Sequence, residues 1–119
     1  MVEERGVVQR LHDILENTEF IIQTMDSTSP EVFFSDVLYS AAVSRAFEII
    51  GEVSKHVPHN VQSAYPQIPW NDMIIFGDLI AHEYRKVSIH DVWWKANNQI
   101  PKLYDEISQM IVNVEKEQE

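Results

Sequence analysis

Apolar residues recur every three or four positions through most of this chain, and nothing reads as a run of alternating strands. Val8, Leu11, Leu15, Thr18, Ile22 and Met25 mark one face of a first helix, closed by the turn-rich run DSTSP at 26–30. A second helix is predicted from about Phe33 to Val57, with Leu38, Ala41, Ala42, Ile49 and Val53 as its stripe. Val37, Phe47 and Ile50 give it a second apolar edge, so it is expected to pack on two sides. Pro58 stops it. The run HVPHNVQSAYPQIP at 56–69 reads as a loop with room for one short helical turn.

A third helix opens with Pro69, whose missing N–H costs nothing in a first turn. Trp70, Met73, Ile74, Gly77, Ile80, Ala81 and Tyr84 follow at helical spacing. A fourth opens with SIHD at 88–91, where Ser88 and Asp91 resemble a capping box. Its stripe runs through Ile89, Val92, Trp93, Ala96, Ile100, Leu103, Ile107, Met110 and Ile111, and Pro101 is expected to kink it. The polar tail from Asn113 is expected to fray. These elements predict an all-α fold, an antiparallel bundle of four to five helices with short connections, as one domain over 1–119.

Composition narrows the function classes. The 119 residues carry 9 basic and 19 acidic side chains, a formal net charge of −10, which argues against a broad grip on a polyanion. A small local basic site is compatible with that balance. There is no cysteine, so disulfides and thiolate metal sites are excluded. His56 and His59 are three apart, but Pro58 separates them and no further ligand is in view, so no metal or cofactor is expected. The start is charged and lacks an apolar h-region, and no apolar run approaches a membrane span. A cytoplasmic protein without membrane contact is the expectation.

Candidate chemistry concentrates in FGDLIAHEYRKV, residues 76–87. Asp78 and His82 are four apart and share a helix face, so the carboxylate is placed to orient the imidazole. Tyr84 and Arg85 follow closely. A histidine beside an arginine is the minimum for cutting RNA without a metal: the imidazole takes the 2′-OH proton and the guanidinium meets charge on the phosphoryl oxygens. By spacing alone, a helix-end pair without catalytic role is the more frequent outcome. Arg45 and Glu48, set into the apolar second helix, read as a buried or interfacial ion pair, or as a cation aimed into a cleft beside His82. Trp70 and Trp93 sit on stripes and read as anchors, and Trp94 as the most exposed of the three tryptophans.

The stretch IPWNDMIIFGDLIAHEYRKVSIHDVWW resembles the core of the HepT-like group of HEPN domains, and AAVSRAFEIIGEVSKHVP resembles that group's arginine-containing helix. The two blocks cover most of the chain, in the same order and with a proline-rich loop between them. The resemblance implies an all-α bundle that dimerises or forms a higher homo-oligomer. It implies a metal-independent ribonuclease, the toxin of a toxin–antitoxin pair, acting on RNA such as tRNA or mRNA. Its partner would be an MntA-type nucleotidyltransferase antitoxin that adenylylates the motif tyrosine. Carried over by position, the catalytic histidine of the Arg-x-x-x-x-His-x-Tyr motif is His82, the modified tyrosine is Tyr84, and Asp78 falls on a polar position. Arg45 matches the arginine of the other helix.

One position departs. The motif arginine belongs at 77, where this chain has Gly77. Loss of one such electrostatic donor typically costs on the order of 10²–10³ in rate. Three readings of Gly77 stand open: a naturally silent relative that keeps the fold as a binding or dimerisation module, an inactivated variant, or a stand-in cation from Arg45, Arg85 or Lys86. Arg85 lies three residues past His82, on a neighbouring face if the helix continues, but on the C-terminal side of the histidine, where the motif has its arginine on the N-terminal side.

Overall fold

The structure is a computed structural model that describes residues 2–117, with side chains from Gly6 onward. Its described part is all-α: α1 (Val2–Asp26), α2 (Pro30–Ser35), α3 (Val37–Lys55), α4 (His59–Ala64), α5 (Trp70–His82), α6 (Ile89–Asn98) and α7 (Ile100–Glu117), with a 3₁₀ turn at Tyr84–Lys86. That is more helices than the expected four to five, and the extra ones come from two breaks.

The first break splits the predicted second helix. Ser29 caps α2, its Oγ accepting from Val32 N at 3.2 Å, and Pro30 takes the first helical position. Asp36 then leaves helical geometry at φ −109°, ψ 104°, and its carboxylate accepts from Leu38 N at 3.0 Å to start α3. The second break falls at Gln99. Gln99 keeps helical geometry at φ −92°, ψ −40° and α7 resumes at Ile100, so the predicted fourth helix is interrupted for one residue just before Pro101. Ser88 caps α6, accepting from His90 N at 3.2 Å. The expected short turn in the proline-rich loop is α4. The tail is helical to Glu117, and the last two residues of the predicted frayed end lie outside the described part.

α3 lies between α1 and α5, and α1 packs in turn on α7. The core runs through Leu11, Ile14, Ile21, Phe33, Val43, Ile50, Ile68, Val92, Ile100, Leu103 and Ile107, all nearly solvent-free. Thr18 is fully buried too, its hydroxyl satisfied by Leu15 O at 2.6 Å. Trp70 is buried and its indole donates to Tyr65 O at 3.1 Å, while Trp94 is exposed, as expected. Trp93 is half-buried against Phe33, 5.1 Å between ring centroids.

The second helix differs in which face is inside. α3 buries Ser40, Val43, Ser44, Ala46, Phe47, Ile50, Gly51 and Ser54. The stripe expected to be buried begins with Leu38, which is 73% exposed, beside Val37 at 68%. Of that stripe Leu38 and Ala41 are exposed while Ala42, Ile49 and Val53 are half-buried; of the second edge Phe47 and Ile50 are buried and Val37 is not.

Candidate functional site

α5 carries the site, and three contacts fix how it lies. At its start Asp72 accepts from Lys95 Nζ at 3.0 Å and from Gln99 Nε2 at 2.9 Å, tying α5 to α6 and to the junction that follows. Burial pushes the Asp72 carboxyl upward, but the hydrogen bonds from Gln99 and Lys95 outweigh it and leave the group below its ordinary value. The same ammonium lies 4.9 Å from the centroid of the Phe76 ring, which packs edge-on against Phe47 of α3 at 5.2 Å.

In mid-helix, α5 meets α3 glycine to glycine. A Cβ built at Gly51 would stand 2.6 Å from Met73 O and 2.9 Å from Gly77 Cα. A Cβ built at Gly77 would stand 3.0 Å from Gly51 Cα, and 3.3 and 3.4 Å from the carbonyl oxygens of Glu48 and Phe47. The two helices approach this closely because neither residue has a side chain at the crossing. Gly77 therefore has a packing role in this chain besides marking the place of the motif arginine.

The third contact is ionic. Asp78 pairs with Lys55 of α3, and that hydrogen bond raises the Lys55 ammonium above its ordinary value. Lys55 also reaches Glu52 at 3.4 Å. The helix face shared with His82 is real, but the ion pair of Asp78 runs across to the neighbouring helix. No hydrogen bond joins Asp78 to His82 among the described residues.

His82 is the last residue of α5 and is exposed. The helix ends there because Ile80 is the last side chain at core spacing, so burial no longer holds the next turn. Glu83 turns away at φ −139°, ψ 49°, its N–H still donating to Leu79 O at 2.8 Å. Tyr84, Arg85 and Lys86 then form the 3₁₀ turn, closed by Lys86 N to Glu83 O at 2.8 Å and Val87 N to Tyr84 O at 3.1 Å. Lys86 pairs with Glu83 at 2.9 Å. Tyr84 is 51% exposed. The helical spacing drawn through Tyr84 does not apply, because the helix stops two residues earlier.

Arg45 makes an ion pair with Glu48 at 3.3 Å, but its side chain is 66% exposed, so it is an outward-facing cation of α3 rather than a buried one. No hydrogen bond or ion pair links it to His82 among the described residues. Gly51 and Lys55, which decide how Gly77 and Asp78 behave, were not singled out from the sequence. The one signal for Gly51 was a lone glycine inside an otherwise continuous apolar helix. His56 lies 3.5 Å from Glu52, and among the described residues no group of three or more His, Asp or Glu is placed to hold a metal ion. No described helix is long and apolar enough to cross a membrane.

Comparison with known proteins identifies relatives over nearly the whole chain. Residues 14–110 match the ribonuclease HepT-like family. A Methanocaldococcus jannaschii protein named as a candidate RNase, MJ0127, is 34% identical over 109 residues, 92% of this chain and 90% of its own length. A second from that organism, the candidate RNase MJ1216, is 31% identical over 116 residues, 98% and 96% of the two chains. A Thermococcus cleftensis protein named as a probable ribonuclease HepT is 35% identical over 101 residues, 81% and 92% of the two chains. No solved structure is a significant match.

Proposed function

The chain belongs to the ribonuclease HepT-like family, and from that premise we propose that it is the toxin of a toxin–antitoxin pair, a metal-independent endoribonuclease of the cytoplasm acting on tRNA or mRNA. The observation that carries this reading is the pairing of an exposed His82 with an exposed Tyr84 at the end of α5. His82 accepts the proton of a ribose 2′-OH. The 2′-oxygen bonds to the adjacent phosphorus, the bond from phosphorus to the 5′-oxygen breaks, and the departing oxygen takes a proton from water. The product is a cyclic phosphate.

Tyr84 gives the site its control. Its exposure lets a partner nucleotidyltransferase reach the phenol and transfer an adenylyl group from ATP. The added bulk and negative charge would stand beside His82, where a substrate phosphate must come. The exposed apolar start of α3, with Val37, Leu38 and Ala41, is where a second copy would dock. Such a homodimer would bring two His82 side chains toward one cleft.

The direct test is incubation of the purified protein with total RNA, alongside His82→Ala. Cleavage that leaves cyclic phosphate ends and disappears in the variant supports the reading. A second reading, a silent binding module of the same fold, is favoured by Gly77. It predicts no cleavage by either protein, yet an adenylyl mass on Tyr84 after mixing with the nucleotidyltransferase and ATP.

A further inference from the structure

Attack by a 2′-oxygen builds negative charge on the phosphoryl oxygens, and without a metal a side-chain cation must meet it. Position 77 is poorly suited to supply one in this chain. A side chain there starts 3.0 Å from Gly51 Cα and against two carbonyl oxygens of α3. Other nearby cations are already held by carboxylates: Lys55 by Asp78 and Glu52, Lys86 by Glu83, Arg45 by Glu48.

Arg85 differs from all of these. It is exposed and forms no ion pair among the described residues. It also stands in the turn directly after His82. The family motif has its cation before the histidine, whereas Arg85 comes three residues after it. α5 ends at His82, and Glu83 at φ −139° redirects the chain into the 3₁₀ turn. Arg85 therefore stands on an exposed turn within three residues of the exposed His82. A guanidinium presents a planar fork of donors that matches two oxygens of a phosphate, which an ammonium does not.

We propose that Arg85 supplies the phosphate-binding charge at this site, its guanidinium contacting the phosphoryl oxygens next to the ribose whose 2′-OH meets His82. The proposal rests on the ribonuclease reading above for its catalytic part, and on phosphate contact alone for its binding part.

The test uses the full chain and four variants: Arg85→Ala, Arg85→Lys, His82→Ala, and Lys102→Ala as an exposed cation outside the site. Binding is measured to a 2′-O-methyl oligoribonucleotide, which lacks the attacking hydroxyl, as a function of salt. Cleavage is measured on unmodified RNA. Loss of one phosphate contact on a single strand lowers the slope of log affinity against log salt by about 0.7. Arg85→Ala is expected to lower the slope by that amount and cleavage by about 10²–10³-fold. Arg85→Lys should keep the slope and recover part of the rate. His82→Ala should lose cleavage and keep the slope, and Lys102→Ala should change neither.

An unchanged slope in Arg85→Ala, or no binding by the parent protein, overturns the proposal. If the parent cleaves and Arg85→Ala cleaves equally fast, the catalytic role of Arg85 falls and the ribonuclease reading stands. If the parent does not cleave but Arg85→Ala still lowers the slope, the ribonuclease reading falls and the phosphate contact stands.

Discussion

Gly51 and Gly77 face each other across the α3–α5 crossing with no side chain between them, and the contact is tighter on the Gly51 side. A methyl group at 51 would meet Met73 O at 2.6 Å, which is backbone and cannot swing away. A methyl group at 77 would meet Gly51 Cα at 3.0 Å, which a few tenths of an ångström of helix separation relieves. Alanine also gains roughly 1 kcal/mol over glycine in a helix. Gly51→Ala is therefore expected to destabilise the protein by about 1–3 kcal/mol, and Gly77→Ala by less, because the propensity gain offsets a smaller clash. Urea denaturation of the two variants decides it, and equal losses would contradict the asymmetry.

Gly77→Arg follows from the same contact. Arginine at 77 places a long side chain at the crossing, and unfolding free energy should fall by about 1–3 kcal/mol. A variant as stable as the parent would show that the two helices separate without cost.

The exposed apolar start of α3 has its own expectation. Leu38 is 73% exposed in the single chain, so Leu38→Asp should leave its helical content unchanged. If this face joins two copies, sedimentation should show the parent as a dimer and the variant as a monomer. A parent that sediments as a monomer at all concentrations would remove the interface.

Acid should loosen α5 from α6. The folded Asp72 carboxyl lies below its ordinary value of 3.8, so its stabilising contribution is complete above that value and is lost as pH falls through the lower, folded one. Asp72 is half-exposed in its pair with Lys95, so the effect is worth less than about 1 kcal/mol. Asp72→Asn should lower stability slightly at neutral pH and flatten its decline below pH 3.8. Melting curves from pH 2 to pH 7 of both proteins measure the difference.

The fold class was legible because local periodicity is a local property, and Leu11, Ile50, Ile80 and Leu103 each announce a helix. The details that failed depend on distant residues or on caps. Asp36 breaks a helix inside an apolar run because its carboxylate can serve as an N-cap, and nothing in the spacing of Phe33, Phe34, Val37 and Leu38 reports that. Pro101 reads equally well as a kink or a beginning, and the difference lies in whether the preceding turn closes. The candidate site was read from the motif around His82 and Tyr84. Its wiring was not, because Lys55 reaches Asp78 and Gly51 reaches Gly77 only after α3 and α5 are folded together.

α5 is fastened by the Trp70 indole, the Asp72 clamp, the glycine crossing and the Asp78–Lys55 pair, all within its first nine residues. His82 and the turn beyond it hang free of those fastenings. The folded state is thus almost indifferent to what is attached at Tyr84. A charged group added there gives a protease or a chaperone little by which to tell the capped molecule from the uncapped one. Under the proposed adenylylation, modified molecules would persist as long as unmodified ones, and removal of the group would need no refolding.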